Sequence, residues 1–160
     1  MTFDRTTLNG LFRYCLALCG ERENAHDLLH DALEKYLRDA PRDVQEPVSY
    51  IRRIARNGFF DQYRRQRTIG FETLENPDAH ASTERDLEAM MVDRLTLEKA
   101  WLELTPPERE VVYLWALDGL SASEIALQLS LPRGTVLSRL RRMRLRMEAF
   151  SESVVQGGMP

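Results

Sequence analysis

Lysine is nearly absent from this chain: 20 of its 22 basic residues are arginine, in 160 residues overall. Cysteine is scarce too, and two cysteines do not make a disulfide framework. Eight glycines and seven prolines in irregular places exclude collagen-like and low-complexity chains. No window approaches 18 consecutive apolar residues, so no membrane span is expected. The opening MTFDRTTLNG lacks the basic-then-apolar layout of a signal peptide, which predicts the cytoplasm. No glycine-rich phosphate loop follows a strand, and no nucleophile and base can be paired, so neither an enzyme nor a cofactor is expected.

What remains is ordinary in bulk, with 43% apolar and 29% charged residues and a formal charge of −3. That allows one medium domain or two small ones. The mild net charge conceals a segregation of signs. Residues 48–67, VSYIRRIARNGFFDQYRRQR, hold six arginines against one aspartate. Residues 133–146, RGTVLSRLRRMRLR, hold six arginines and no acid, whereas residues 68–110 carry eleven acids against four bases. A solvated surface usually interleaves its signs. Genomic bias accounts for arginine over lysine as readily as function does, but not for the clustering. Arginine forks grip phosphates bidentately and stack on bases, so two basic blocks on an acidic body point to nucleic acid.

Helical periodicity runs nearly throughout, and no stretch sustains strand alternation. A first helix is predicted over residues 4–19, with Leu8, Leu11, Phe12, Cys15 and Leu18 on one stripe and Gly20 as its stop. A second starts at Asn24 as N-cap, with Leu28, Leu29, Ala32, Leu33, Tyr36 and Leu37 apolar. A third begins near Pro47 and runs to about Arg67, burying Val48, Ile51, Ile54, Ala55 and Phe59. Residues 68–92 read as an interdomain linker whose second half starts another helix at Ser82 and continues to Leu104.

The last third has the sharpest local grammar. Thr105-Pro106-Pro107-Glu108 and Ser121-Ala122-Ser123-Glu124 are capping boxes. The helix after the first is expected to bury Val111, Val112, Leu114, Trp115 and Leu117 and to end at Gly119. The second box opens a short helix, Ser130-Leu131-Pro132 turns, and a final helix runs to Phe150 before a frayed tail, 151–160. In that helix Val136, Leu140, Met143 and Met147 face the core, and the arginines lie mainly off the stripe. A capped short helix, a tight turn and a basic helix make a helix-turn-helix, which places its second helix in a major groove. The third helix offers Arg52, Arg53, Arg56, Asn57, Arg64 and Arg65 with Phe60 and Tyr63 interleaved, a pattern suited to a phosphate track with rings for unstacked bases.

Cys15, Cys19, His26 and His30 have the donor types of a zinc site. The two cysteines fall on or beside the buried stripe, however, where free cysteine behaves as a small hydrophobe, so no metal is expected. His80 stands alone. Three functions fit the residues taken by themselves: a two-site nucleic-acid binder, a stand-alone regulator binding operators as a dimer, and an interaction module whose basic helices meet acidic partners.

LFRYCLALCGERENAHDLLHDALEKYL, followed by YIRRIARNGFFDQYRR, resembles region 2 of the extracytoplasmic-function (ECF) sigma factors of bacterial RNA polymerase. LTPPEREVVYLWALDGLSASEIALQLSLPRGTVLSRLRRMRLRM resembles their region 4. The resemblance covers residues 11–65 and 104–147, in the family's order. It implies an all-α chain of two small helical domains, 1–67 and 93–150, joined by a flexible linker. It implies a dissociable specificity subunit that directs core polymerase to particular promoters, helps melt the −10 element and catalyses nothing alone. The expected partners are the clamp helices and flap of core RNA polymerase, promoter DNA and an anti-sigma factor.

Carried onto matching positions, the resemblance assigns Asp27, Leu28, Asp31, Ala32 and Glu34 to the polymerase-facing patch. The loop Asp39–Ser49 matches the family's pocket for a flipped base. Arg53, Arg56, Asn57, Arg64 and Arg65 match the face that holds −10 DNA, and Arg133, Thr135, Ser138, Arg139 and Arg142 match the −35 reader. Leu137 departs from the lysine or arginine of many relatives, which is expected to alter −35 preference. His26 and His30 replace residues that are commonly acidic or amide, making the polymerase-facing patch less acidic.

Overall fold

The computed structural model describes residues 2–67 and 100–157, without the side chains of 150, 151 and 153–157. The chain divides into two compact units, Met1–Gly70 and Phe71–Pro160. All regular structure among the described residues is helical. The expected linker, 68–92, and most of the helix expected from Ser82 lie outside these residues.

The first unit is a three-helix bundle of α1 (Arg5–Cys19), α2 (Arg22–Asp39) and α3 (Pro47–Gln66), each packed on the other two. Asp4 caps α1, its Oδ1 accepting from the Thr7 N–H at 2.8 Å. Gly20 ends α1 at φ +75°, a left-handed position that glycine takes without steric cost. Proline opens α3, where its missing N–H is no loss. The second helix starts earlier than its sequence suggests: Glu21, not Asn24, is the N-cap, and Asn24 lies inside the first turn with its Nδ2 donating to Glu21 Oε2 at 3.0 Å. Asn24 resembles a cap because its short side chain competes for local backbone groups, but Gly20 already ends α1 and lets α2 begin at once. Leu11, Cys15, Ala25, Ala32, Tyr36, Ile51 and Ala55 form the core. Val48 and Ile54 pack against it from half-buried positions. Phe59, also expected in the inner stripe, is half-buried and stacks on Tyr63.

In the second unit, Ala100 and Leu104 are buried ahead of α4 (Pro106–Ala116), α5 (Ala122–Leu129) and α6 (Arg133–Gly157). Both capping boxes close. Val111, Val112, Leu114, Ile125, Leu129, Val136, Leu140, Met143 and Met147 are buried as their periodicity predicts. Leu117 is not: α4 stops at Ala116, and Leu117 is 68% exposed in the turn that Gly119 completes at φ +69°. Tyr113 is buried instead. A second left-handed residue, Ser130 at φ +54°, ends α5, and Leu131 N–H returns to the Ala126 carbonyl at 2.9 Å. The tail also differs from expectation, because α6 continues to Gly157 rather than fraying after Phe150. Nothing in SESVVQ stops a helix.

Candidate nucleic-acid interface

Along α3, the arginines lie against rings. Arg53 sits 4.9 Å from the Tyr50 centroid, Arg56 sits 5.0 Å from Phe60, and Arg67 sits 4.9 Å from Tyr63. Arg52 lies over Tyr14 of α1 at 5.0 Å. Phe59, Phe60 and Tyr63 contact one another and are half-buried, so they are neither core nor loose decoration. A cation over a ring face is attracted by its quadrupole, and the ring restricts a side chain that would otherwise sample many rotamers. Arg53, Asn57 and Arg64 recur at helical spacing on one exposed face, flanked by Arg56 and Phe60. Arg64 also holds Asp61 Oδ1 at 2.9 Å, a well-exposed pair of small energetic weight.

Arg65 departs from this grouping. It lines a groove of about 390 Å³ between α2 and α3, together with Leu28, Asp31, Ala32, Lys35 and Asp61. A helix advances 100° per residue, which turns Arg65 away from Arg64 and toward α2. The groove therefore brings one residue of the expected −10 set beside three of the expected polymerase set.

On α2, Asp27, Asp31 and Glu34 are exposed and recur at spacings of four and three, so they share a face. Leu28 is half-buried and Ala32 is buried, so Ala32 belongs to the core and supports the patch from beneath. Glu34 lies 3.7 Å from Arg38, which also grips Asp39. The hydrogen bond and charge of Arg38 hold the Asp39 carboxyl below its ordinary range. His26 and His30 are exposed, and His26 stacks on Phe12 at 4.4 Å. Cys15 is buried in the bundle core, where loss of solvent pushes its thiol up to about 12 and keeps it protonated, opposite to what a metal-binding thiolate requires. Among the described residues, no three His, Cys, Asp or Glu side chains converge as metal ligands.

In the second unit, α5, its turn and α6 form the expected helix-turn-helix. Arg133 is exposed and donates from Nε to Ser123 Oγ at 3.1 Å. Thr135, Leu137 and Arg139 are half-buried. Ser138 is only 6% exposed, so its hydroxyl lies beneath its neighbours. Its position off the Val136–Leu140–Met143–Met147 stripe gave no sequence signal of burial. Arg142 keeps 42% side-chain exposure while its Nη1 lies 3.6 Å from Glu108 Oε1. Glu108 is itself buried and receives Arg146 Nη1 on Oε2 at 2.6 Å. Along the sequence Glu108 reads only as the carboxylate of a capping box; its two arginine partners lie in another helix and leave no local trace.

Comparison with known proteins agrees with this arrangement. The family description "Sigma-70 region 2" matches residues 4–69, and "Sigma-70, region 4" matches residues 94–147. The ECF RNA polymerase sigma factor SigL of Mycobacterium tuberculosis is 29% identical over 147 residues, covering 86% of this chain and 82% of that protein. The RNA polymerase sigma-E factor of Streptomyces avermitilis is 31% identical over 151 residues, covering 93% and 83%. In fold, the chain is similar to the sigma factor RpoE of Bartonella quintana, solved in complex with the anti-sigma factor NepR, at TM-score 0.60 and 23% identity over 92% of each chain. Two matched regions in family order, carried by a three-helix bundle and a helix-turn-helix, show that the chain belongs to the sigma-70 family as an ECF sigma factor, directing RNA polymerase to specific promoters in transcription initiation.

Proposed function

We propose that the two units divide promoter recognition between them. Region 2 docks on the clamp helices of core polymerase through Asp27, Asp31 and Glu34, with Leu28 at the patch edge. It holds opened −10 DNA along α3, and the loop Asp39–Ser49 takes a flipped base. Region 4 reads the −35 element through α6, led by the exposed Arg133 with the half-buried Arg139 and Arg142, and meets the flap. The chain adds no catalysis of its own, works in the cytoplasm and leaves polymerase after initiation. An anti-sigma factor covers its polymerase- and DNA-facing surfaces, as the NepR complex of the Bartonella relative suggests.

The observation that carries this reading is the pairing of α3 arginines with rings: Arg53 on Tyr50, Arg56 on Phe60, Arg67 on Tyr63. Melting exposes bases and phosphates together, and extruding one base costs roughly a few kcal/mol. A face that alternates guanidinium and π-surface offsets that cost by stacking and phosphate contact at once.

The test is a titration of fluorescently labelled protein with bacterial core polymerase, followed by anisotropy, with Asp31→Arg as the comparison. Tight binding weakened by the charge reversal supports the assigned patch. Binding to core that is indifferent to the reversal moves the patch elsewhere. A free protein that grips duplex DNA tightly as a dimer, and ignores core, supports the stand-alone regulator instead.

A further inference from the structure

Glu108 of α4 is a buried carboxylate paired with the basic helix of region 4. It is 2% exposed, and three groups converge on it. The Thr105 backbone N–H donates to Oε2 at 2.9 Å, Arg146 donates to the same oxygen at 2.6 Å, and Arg142 approaches Oε1 at 3.6 Å. The carboxylate is thus held on Oε2 by its own helix cap and by an arginine whose side chain is 32% exposed. We infer that Glu108 is a positioning residue for −35 recognition, acting as a fixed anchor that orients Arg142 toward DNA. This rests on the reading of α6 as the −35 helix.

The geometry separates an anchor from a competitor. An acid that withdrew Arg142 from DNA would bind it closely and bury it. Here Arg142 Nη1 stands 3.6 Å from Oε1, longer than the 2.6 Å Arg146 pair, and the Arg142 side chain stays 42% exposed. The shorter, more buried pair with Arg146 meanwhile offsets the carboxylate's charge, which weakens its repulsion of phosphate. An unanchored arginine loses its rotamer freedom on binding DNA. A guanidinium already restrained in the folded protein loses less, so the anchor strengthens binding without touching the nucleic acid.

The experiment uses full-length protein bound to core polymerase. Duplexes are selected by the wild-type holoenzyme from a random-sequence library, and affinity for the enriched −35 duplex is compared with that for a scrambled one. Glu108→Gln keeps the shape and the acceptor for Thr105 but removes the charge. It is expected to weaken specific binding about fivefold to tenfold, an effect within the range for one positioned contact. The same change in an Arg142→Ala background is expected to add little, because the anchor then has nothing to orient. A loss that persists undiminished beside Arg142→Ala overturns the inference and makes Glu108 merely structural. Unchanged or tighter binding by Glu108→Gln overturns it as well. If Glu108→Gln melts the unit, Arg146→Met replaces it, and the same non-additivity with Arg142→Ala is required. Enrichment of no duplex, or indifference of the wild type to Arg142→Ala, removes the −35 reading itself and the inference with it.

Discussion

Arg133 Nε donates to Ser123 Oγ across 3.1 Å, joining the exposed faces of α5 and α6. The bond ties the first arginine of α6 to the helix before it. Ser123→Ala is expected to lower stability by only about 0.5 kcal/mol, because the partners are solvated. Its larger effect should fall on −35 discrimination, which ought to decline toward that of Arg133→Ala. Urea denaturation beside duplex-binding titrations checks both halves.

The turn of the same motif holds strain. Ser130 occupies the left-handed region at φ +54°, where a Cβ meets the carbonyl that follows it. Ser130→Gly is expected to raise stability by about 0.5–1 kcal/mol, the relief of that clash less the greater freedom of glycine in the unfolded chain. A lowered urea midpoint would show that the Ser130 side chain compensates for its backbone.

In the bundle, Ile51 is fully buried among α1 and α2 residues, whereas Leu37 is 72% exposed. Ile51→Ala removes buried methyl groups and leaves a cavity, at a cost of about 2–5 kcal/mol. Leu37→Ala should stay within about 0.5 kcal/mol. Core-polymerase affinity should fall with Ile51→Ala at temperatures where the bundle opens, since the Asp27–Asp31 face exists only on a folded α2. Circular dichroism melts and anisotropy titrations read the two effects together.

Cys15 makes the bundle sensitive to alkali. Burial, helped by the neighbouring Cys19 and opposed by Arg52, raises its thiol from 9.0 to about 12. The unfolded thiol ionises first, so this contribution to stability is complete below about pH 9. It falls as pH rises from there toward 12, by at most about 1.4 kcal/mol per pH unit. Urea midpoints at about pH 8 and pH 10.5 should separate more in the wild type than in Cys15→Ala. Equal separation would place the alkaline loss in other groups.

Phe60 and Arg56 are expected to act as a pair on opened DNA. Phe60→Ala removes both a π-face and the surface that carries Arg56, and should weaken binding of −10 single strands in holoenzyme by about 1–3 kcal/mol. Arg56→Ala added to it should contribute less than it does alone. Permanganate reactivity of −10 thymines measures the opening directly.

Much of this protein was readable along the chain. Helices, their proline starts, the glycine at position 20 and both capping boxes depend on residues within four positions of each other, so local chemistry determined them. The same holds for the buried stripe of α6 and for the two basic blocks, whose arrangement carried the family resemblance. Asn24 and Leu117 show the limit even there, because a neighbouring helix end or turn decided which of two adequate residues served. What only the tertiary structure decided is the fate of individual arginines. Arg65 faces the α2 groove, Arg133 is tied to Ser123, and Arg146 meets Glu108 from 38 residues away. Periodicity tells which way a side chain leaves its own helix. Whether it ends in solvent or on a buried carboxylate depends on the crossing of two helices, and that is set by the packing of the whole core.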